Sequence, residues 1–320
     1  MPYKDVDPLA DTISPRYAYE SDDEDETGLA DVDLSSGTNI APDVPAVEIT
    51  FLPDEKKQEE YGNILIVASG VVGAVWARGA HLGEQVGQVN VNKRAVGLVF
   101  QPSWTSQGTK GTVLVSEAFV RLPVWAMNAY AAAVLERYKP SKVILLDAYS
   151  TATYISLIPI AHHEAPLRYL STDRTPPSSK APLSLFTPPN LLQSTTAAFL
   201  NLLALPNIPS QSQKSKFGLG ILVPSRRAPL PTPRSLSRED EADTETSAIL
   251  SLAALASIED SEDWDPALLK AAHSAVFEAA GLGTSSAEWT DSRSSERKGE
   301  GVKASPKRRR FIETEGGMYI

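Results

Sequence analysis

A helical stretch from Val124 to Tyr138 runs almost directly into the apolar segment Lys142–Leu146, and this succession constrains the fold more than any other feature of the chain. Pro123 opens the helix, and Ala126, Tyr130, Ala133, Val134 and Arg137 recur at helical spacing, which predicts a wide buried face. Lys142–Leu146 reads as a strand ending at Asp147, and Thr112–Ser116 reads as a strand ahead of the helix. The order strand, helix, strand demands a crossover, hence a sheet that is at least partly parallel.

The flanking segments extend the same pattern. Val47–Leu52 is suited to a first strand and Ile64–Ala68 to a buried one. Gly70, Gly73, Gly79 and Gly83 then surround Val71–Arg78, which predicts a strand turning into a closely packed helix. Val96–Phe100 and Thr112–Ser116 read as a strand pair joined by an exposed loop containing Pro102, Gly108 and Gly111. Further short strands are expected at Ile155–Ile160 and Leu167–Leu170, a proline-rich loop at Thr175–Pro189, a helix at Leu191–Leu205 and a strand at Phe217–Val223. Ala248–Ser257 and Pro266–Ala280 read as helices, the second capped by Asp265 and stopped by Gly281. One α/β domain explains these elements.

The charge of -10 is unevenly placed: residues 1–60 hold 17 acidic against 4 basic groups. Residues 1–45 lack periodicity and contain the run Ser21 to Glu26, so they are expected to be a disordered acidic tail. That run reads first as solubilising, with a contact for a basic partner or a phosphorylation site at Ser21 as the functional alternatives. Pro224–Thr246 has the composition of a disordered surface insertion, and Gly283–Glu315 that of a flexible tether. The expected organisation is thus a tail (1–45), an α/β domain (46–282) interrupted at about 224–246, and a tether (283–320). The chain contains no cysteine, which excludes disulfides and thiolate metal sites. No amino-terminal apolar region suggests secretion. Val143–Ala161 approaches the length of a membrane span, but it contains Asp147 and several hydroxyl residues, so a soluble protein is expected.

Catalytic patterns are sparse. Gly70–Gly83 has neither the dinucleotide fingerprint nor a P-loop ending, and close packing accounts for it better than phosphate binding. His162, His163 and Glu164 are adjacent, lack the i, i+4 spacing of a zinc helix and point in different directions; His81 and His273 stand alone. All four histidines are expected to be satisfied or exposed. Asp147 is the residual candidate, because open α/β sheets bind ligands beyond the carboxyl ends of strands, with a strand-end cap as its bland alternative. No cofactor and no metal are expected.

The chemistry instead concentrates at the last residues. Met318 offers flexible apolar surface, Tyr319 a rigid ring with a hydroxyl, and Ile320 the terminal carboxylate, a combination suited to a cationic pocket. Gly316 and Gly317 leave this tip free to bend, and a flexible segment of about 30 residues has a root-mean-square reach of roughly 30 Å. The tripeptide reads as a docking peptide. Lys307, Arg308, Arg309 and Arg310 form a basic cluster that fits a nuclear import signal or electrostatic steering toward an acidic surface. Without interleaved aromatics, a nucleic-acid partner is not expected.

The terminal Met318-Tyr319-Ile320, the acidic run Ser21 to Glu26, the glycine-bearing segment Asn63 to Gly73, and Pro189-Asn190 with the strand near Phe217 together resemble the proteasome assembly chaperone 1 family. Its members are the larger subunits of a heterodimeric chaperone. The resemblance extends over most of residues 15–320. It implies a non-catalytic, phosphorylase-like α/β/α sandwich with a mixed sheet, paired with proteasome assembly chaperone 2 and capping the outer face of the 20S α-ring. It also implies that Tyr319 packs and hydrogen-bonds in a pocket between neighbouring α subunits, that the Ile320 carboxylate meets a pocket lysine, and that activators using the same pockets are excluded. Cytoplasmic and nuclear residence, without membrane attachment, follows from the same expectation. The Pro224–Thr246 insertion and the long tether depart from the family pattern. Two other classes compete: a phosphorylase-like or nucleotide-binding enzyme with an accidental terminal tripeptide, supported by the glycine segment and Asp147, and a proteasome activator using the same motif.

Overall fold

The computed structural model describes residues 47–52, 63–102, 111–173, 182–205, 217–228, 232–233, 236, 264–282 and 289–290. Nine strands form one mixed sheet: β1 (Ile49–Leu52), β2 (Ile64–Ser69), β3 (Gln85–Val91), β4 (Arg94–Phe100), β5 (Gly111–Ser116), β6 (Lys142–Ser150), β7 (Leu167–Ser171), β8 (Leu183–Leu185) and β9 (Phe217–Ser225). The spatial order is β1-β3-β4-β5-β2-β6-β9-β7-β8. β5, β2, β6 and β9 run parallel as the central block, and the β1-β3-β4-β5 side is antiparallel. On the other side β7 is antiparallel to β9 and β8 parallel to β7.

Among the described residues, two helices cover each face. Alternate residues of the parallel strands point to opposite sides, so Ile64, Ile66, Ile144, Leu146, Leu219 and Ile221 join Val72 and Trp76 of α1 (Gly70–Gly79) and Leu269 and Phe277 of α4 (Pro266–Ala280) in one core. Leu65, Val67, Leu114, Val143 and Leu145 join Tyr130 and Val134 of α2 (Val124–Tyr138) and Phe199 of α3 (Thr195–Ala204) in the other. The result is the expected α/β/α sandwich. Strands buried on both faces read as continuous apolar runs, and β2 is buried at all six positions.

Local chemistry sets the helix ends. The Asp265 side chain accepts from the Ala267 amide at 2.9 Å, Pro266 occupies the first turn, and Gly281 turns left-handed at φ 75° while Leu282 N–H returns to the Phe277 carbonyl. Both signals stand in the sequence. α2 begins at the residue after Pro123 and is capped by Lys139, whose φ is 43°.

Several expectations are corrected. Ile155–Ile160 is not a strand: β6 already pairs with β2 and β9 along its two edges, and the segment forms a loop with its apolar side chains exposed. α3 starts at Thr195, not Leu191, and β9 continues through Pro224 to Ser225 before any insertion. β3 and β8 add strands where none was expected, β8 within the proline-rich stretch. β6 runs on to Ser150, so Asp147 is not its last residue. Residues 1–46, Ala248–Ser257, Lys307–Arg310 and Gly316–Ile320 lie outside the described residues. Among the described residues no helix is long and apolar enough to cross a membrane, and Val143–Ala161 is β6 followed by the exposed loop.

Candidate functional site

The chain crosses from β5 on one side of β2 to β6 on the other, which makes the carboxyl end of β2 a topological switch point, the place where open α/β sheets bind ligands. Asp147 sits one residue past the last β2–β6 pair, Ala68 with Leu146. Its Oδ2 accepts from the Ser194 hydroxyl at 2.7 Å and its Oδ1 from the Ala148 amide at 2.7 Å. Glu117, just beyond β5, faces the same helix start: its Oε1 accepts from the Leu122 amide at 2.8 Å and its Oε2 from the Thr195 hydroxyl.

Burial raises both carboxyls above the ordinary range. For Glu117 the hydroxyl of Thr195, the Leu122 amide and the charge of Arg121 oppose that rise; for Asp147 the Ser194 hydroxyl, the Ala148 amide and Arg121 do so. Ser194 is the N-cap of α3, yet its side chain bonds Asp147 and not the helix backbone. The two carboxylates therefore clamp the first turn of α3 onto the sheet edge. Tyr130, fully buried beneath them, accepts from the Ser116 hydroxyl at 3.0 Å, and burial pushes its phenol upward. Asp147, the residual ligand candidate, is engaged in holding a helix.

The glycines of the β2–α1 turn serve packing. Gly70 has φ +63°, and a Cβ on Gly73 would lie 2.4 Å from the Ala68 carbonyl carbon, so only glycine lets α1 fold back onto β2. His273 Nδ1 accepts the Trp76 indole N–H at 3.2 Å and its ring lies 4.2 Å from that of Phe277. His162 Nδ1 lies 3.2 Å from the Thr151 hydroxyl, and exposed His163 lies 3.5 Å from Glu164. His81 Nε2 meets the Thr290 hydroxyl at 2.7 Å. Among the described residues no three His, Asp or Glu side chains gather as a metal site.

Thr290 belongs to a second junction. The Trp289 indole N–H donates to the Trp76 carbonyl at 3.0 Å, and Thr290 N–H donates to the Gly79 carbonyl at 3.1 Å. Trp289 is buried in the niche that the missing Cβ of Gly79 leaves open. Two residues of the segment read as a tether are thus docked on the end of α1.

One cavity of about 210 Å³ opens between the 151–165 loop and β7, lined among others by Tyr149, Thr151, Tyr154, Ser156, Ile160 and Arg168. Arg168 is buried, donates from Nη1 to the Leu185 carbonyl at 3.0 Å, and places its guanidinium carbon 3.9 Å from the Tyr154 ring centre. The Tyr149 hydroxyl donates to the Pro166 carbonyl at 2.8 Å.

The structure thus brings Asp147 together with a residue not singled out beforehand, Glu117, and with Ser194 and Thr195. A Ser-Thr-Thr run ahead of an apolar helix is a cap signal, and a lone acid directly after an apolar strand, as at Glu117, marks the same sheet edge as Asp147. Arg168 also escaped notice; a single cation inside a short apolar strand was its only trace.

No protein-family model matches the chain, and no curated protein matches it. Solved structures do. The chain is similar to PbaB of Pyrococcus furiosus, an archaeal proteasome activator, at 9% identity over 79% of this chain and 95% of that one, with a TM-score of 0.46. It is similar to PbaA of the same organism, an archaeal homolog of proteasome-assembly chaperone, at 10% identity over 74% and 88% of the two chains, with a TM-score of 0.34. A Thermoplasma acidophilum protein of unknown function matches at 12% identity over 52% of this chain and 69% of that one, with a TM-score of 0.37. With TM-scores below 0.5, these likenesses assign no role to any residue of this chain.

Proposed function

We propose that this chain is a proteasome assembly chaperone that pairs with a second chaperone subunit, seats on the outer face of the 20S α-ring, and inserts Met318, Tyr319 and Ile320 into a pocket between neighbouring α subunits. The sequence observation that carries this reading is the hydrophobic-Tyr-any tripeptide itself, set behind Gly316 and Gly317 on a segment without apolar periodicity. In this reading Tyr319 packs its ring and bonds through its hydroxyl, and the Ile320 carboxylate pairs with a lysine of the pocket.

The physical logic supports a shared task between tail and body. Three residues bury little surface and bind weakly alone, but a tip tethered to a body that also touches the ring gains through effective concentration. Release then requires the weakening of one contact only. Bound in these pockets, the chaperone promotes core-particle assembly and keeps activators from docking early. Lys307–Arg310 serves nuclear import, consistent with work in both cytoplasm and nucleus. The partner is a subunit of the assembly chaperone 2 type.

The alternative of a phosphorylase-like or nucleotide-binding enzyme draws on the glycine segment and Asp147. Gly73 is required by the backbone of Ala68, and Asp147 holds Ser194; neither observation favours it. Peptide hydrolysis by purified 20S particles, with and without an activator, tests the proposal. The chaperone reading predicts that the chain with its partner lowers activator-stimulated hydrolysis and opens no gate alone. Stimulation by the chain itself makes it an activator, and no effect on either rate rejects the proposal.

A further inference from the structure

The loop between β6 and β7 holds apolar side chains outward on a braced backbone. Ile155 is 62% exposed, Ile158 76%, and Leu157 fully, with Leu191 beside them at 81%. The brace is specific: the Asn190 side chain accepts from the Ile155 amide at 2.7 Å and donates to its carbonyl at 2.8 Å, and the Ser156 hydroxyl donates to the Ile158 carbonyl at 2.6 Å. A clustered apolar surface of this kind marks an interaction site.

The same loop walls the 210 Å³ cavity that contains Arg168. Arg168 is 7% exposed, its Nε has no hydrogen-bond partner, and no carboxylate pairs with it among the described residues. Stacking on Tyr154 and a close contact with Tyr149 offset part of the cost of burying the charge, but with its Nε unpartnered and no carboxylate beside it among the described residues, the guanidinium is incompletely satisfied. Its planar fork matches a carboxylate in two-point geometry.

We infer that the Arg168 cavity and its apolar rim are a docking site for a segment of a partner protein that carries a carboxylate between apolar side chains. The carboxylate enters and pairs with Arg168, and the flanking apolar groups cover Ile155, Leu157 and Ile158. This gives the chemistry of the subunit contact that the proposed heterodimer needs, and to that extent rests on that reading.

The test places a photo-crosslinking benzoylphenylalanine at position 157 of the full chain, in the cells that produce it, and maps the crosslinked peptide by mass spectrometry. The expected product joins position 157 to a different protein, at a segment with Asp or Glu flanked by apolar residues. Ile158→Glu, a surface change that leaves folding intact, and Arg168→Gln should each lower the yield, the latter by on the order of 30-fold or more if the charge pair is desolvated. The inference is overturned by no crosslink, by a crosslink only to a second copy of this chain, by a mapped segment without a carboxylate, or by yields that Ile158→Glu leaves unchanged. Saturable binding of inorganic phosphate in the cavity without a protein crosslink also overturns it. Deleting Met318–Ile320 separates the two readings: the crosslink should persist while core-particle binding weakens, and a crosslink to a protein unrelated to proteasome assembly sinks the chaperone reading alone.

Discussion

The indole N–H of Trp289 donates to the backbone carbonyl of Trp76 at 3.0 Å, which fastens the start of the carboxyl-terminal segment to α1 across 213 positions of sequence. The carboxyl-terminal segment is thus fixed to the body at Trp289 and Thr290, beyond the end of α4. On the α-ring of the proposed function, such an anchor would shorten the tether and raise the effective concentration of the tip.

The niche for Trp289 exists because residue 79 has no side chain. A Cβ there would lie 2.4 Å from two atoms of the Trp289 ring and 2.5 Å from the Thr290 carbonyl. Gly79→Ala should therefore undock Trp289, with a stability loss of about 1–3 kcal/mol. Limited proteolysis checks this: cleavage after Leu282 should accelerate while the α/β body stays resistant.

Gly73 and Gly70 occupy one turn but answer to different constraints. Gly73→Ala drives a methyl into the Ala68 backbone, which has no side chain to move aside, whereas Gly70→Ala meets open space and only a strained φ of +63°. Urea denaturation should show Gly70→Ala losing about 1 kcal/mol and Gly73→Ala losing at least about 3 kcal/mol or failing to fold. Equal losses would mean that close approach is not what the glycine provides.

The two buried carboxyls give a signed pH dependence. Burial raises Glu117 and Asp147, so their protonated forms are favoured in the folded state relative to the unfolded chain. Their contribution to stability is fully present below the ordinary carboxylate range and is lost as pH rises through the folded values. Thermal unfolding followed upward in pH from the ordinary carboxylate range should show a flatter decline for Glu117→Gln than for the parent protein. Glu117→Ala, which strands the Leu122 amide and the Thr195 hydroxyl, should lose about 2 kcal/mol or more throughout. A Glu117→Gln profile parallel to the parent's would contradict the raised carboxyl.

How far the sequence disclosed all this depended on whether a signal was local. Asp265, Pro266 and Gly281 state the limits of α4 in their own chemistry, and the apolar runs at Ile64 and Lys142 reveal strands buried on both faces. Ile155–Ile160 has the composition of a strand, but a strand requires a free neighbouring edge, and the edges of β6 are taken by β2 and β9. Composition does not carry that information. β3 carried a readable signal that was missed: Gln85–Val91 alternates polar and apolar residues at the period of a half-buried strand, broken only at Gly87. The start of α3 was set by a distant carboxylate: Asp147 holds the Ser194 hydroxyl, and the helix begins at the next residue. Asp147 was identifiable as a residue at the sheet edge, but its role emerged only with Ser194, 47 positions later, placed against it.

The tail is where the functional account is most exposed to contradiction. Binding of the full chain, and of the chain without Met318, Tyr319 and Ile320, to isolated 20S core particles and to α-ring assembly intermediates measures its part directly. The account predicts that truncation weakens binding at least about tenfold, a loss of about 1.4 kcal/mol or more. Equal binding by the two forms would contradict it, because the tripeptide would then be incidental and recognition would belong to the body alone.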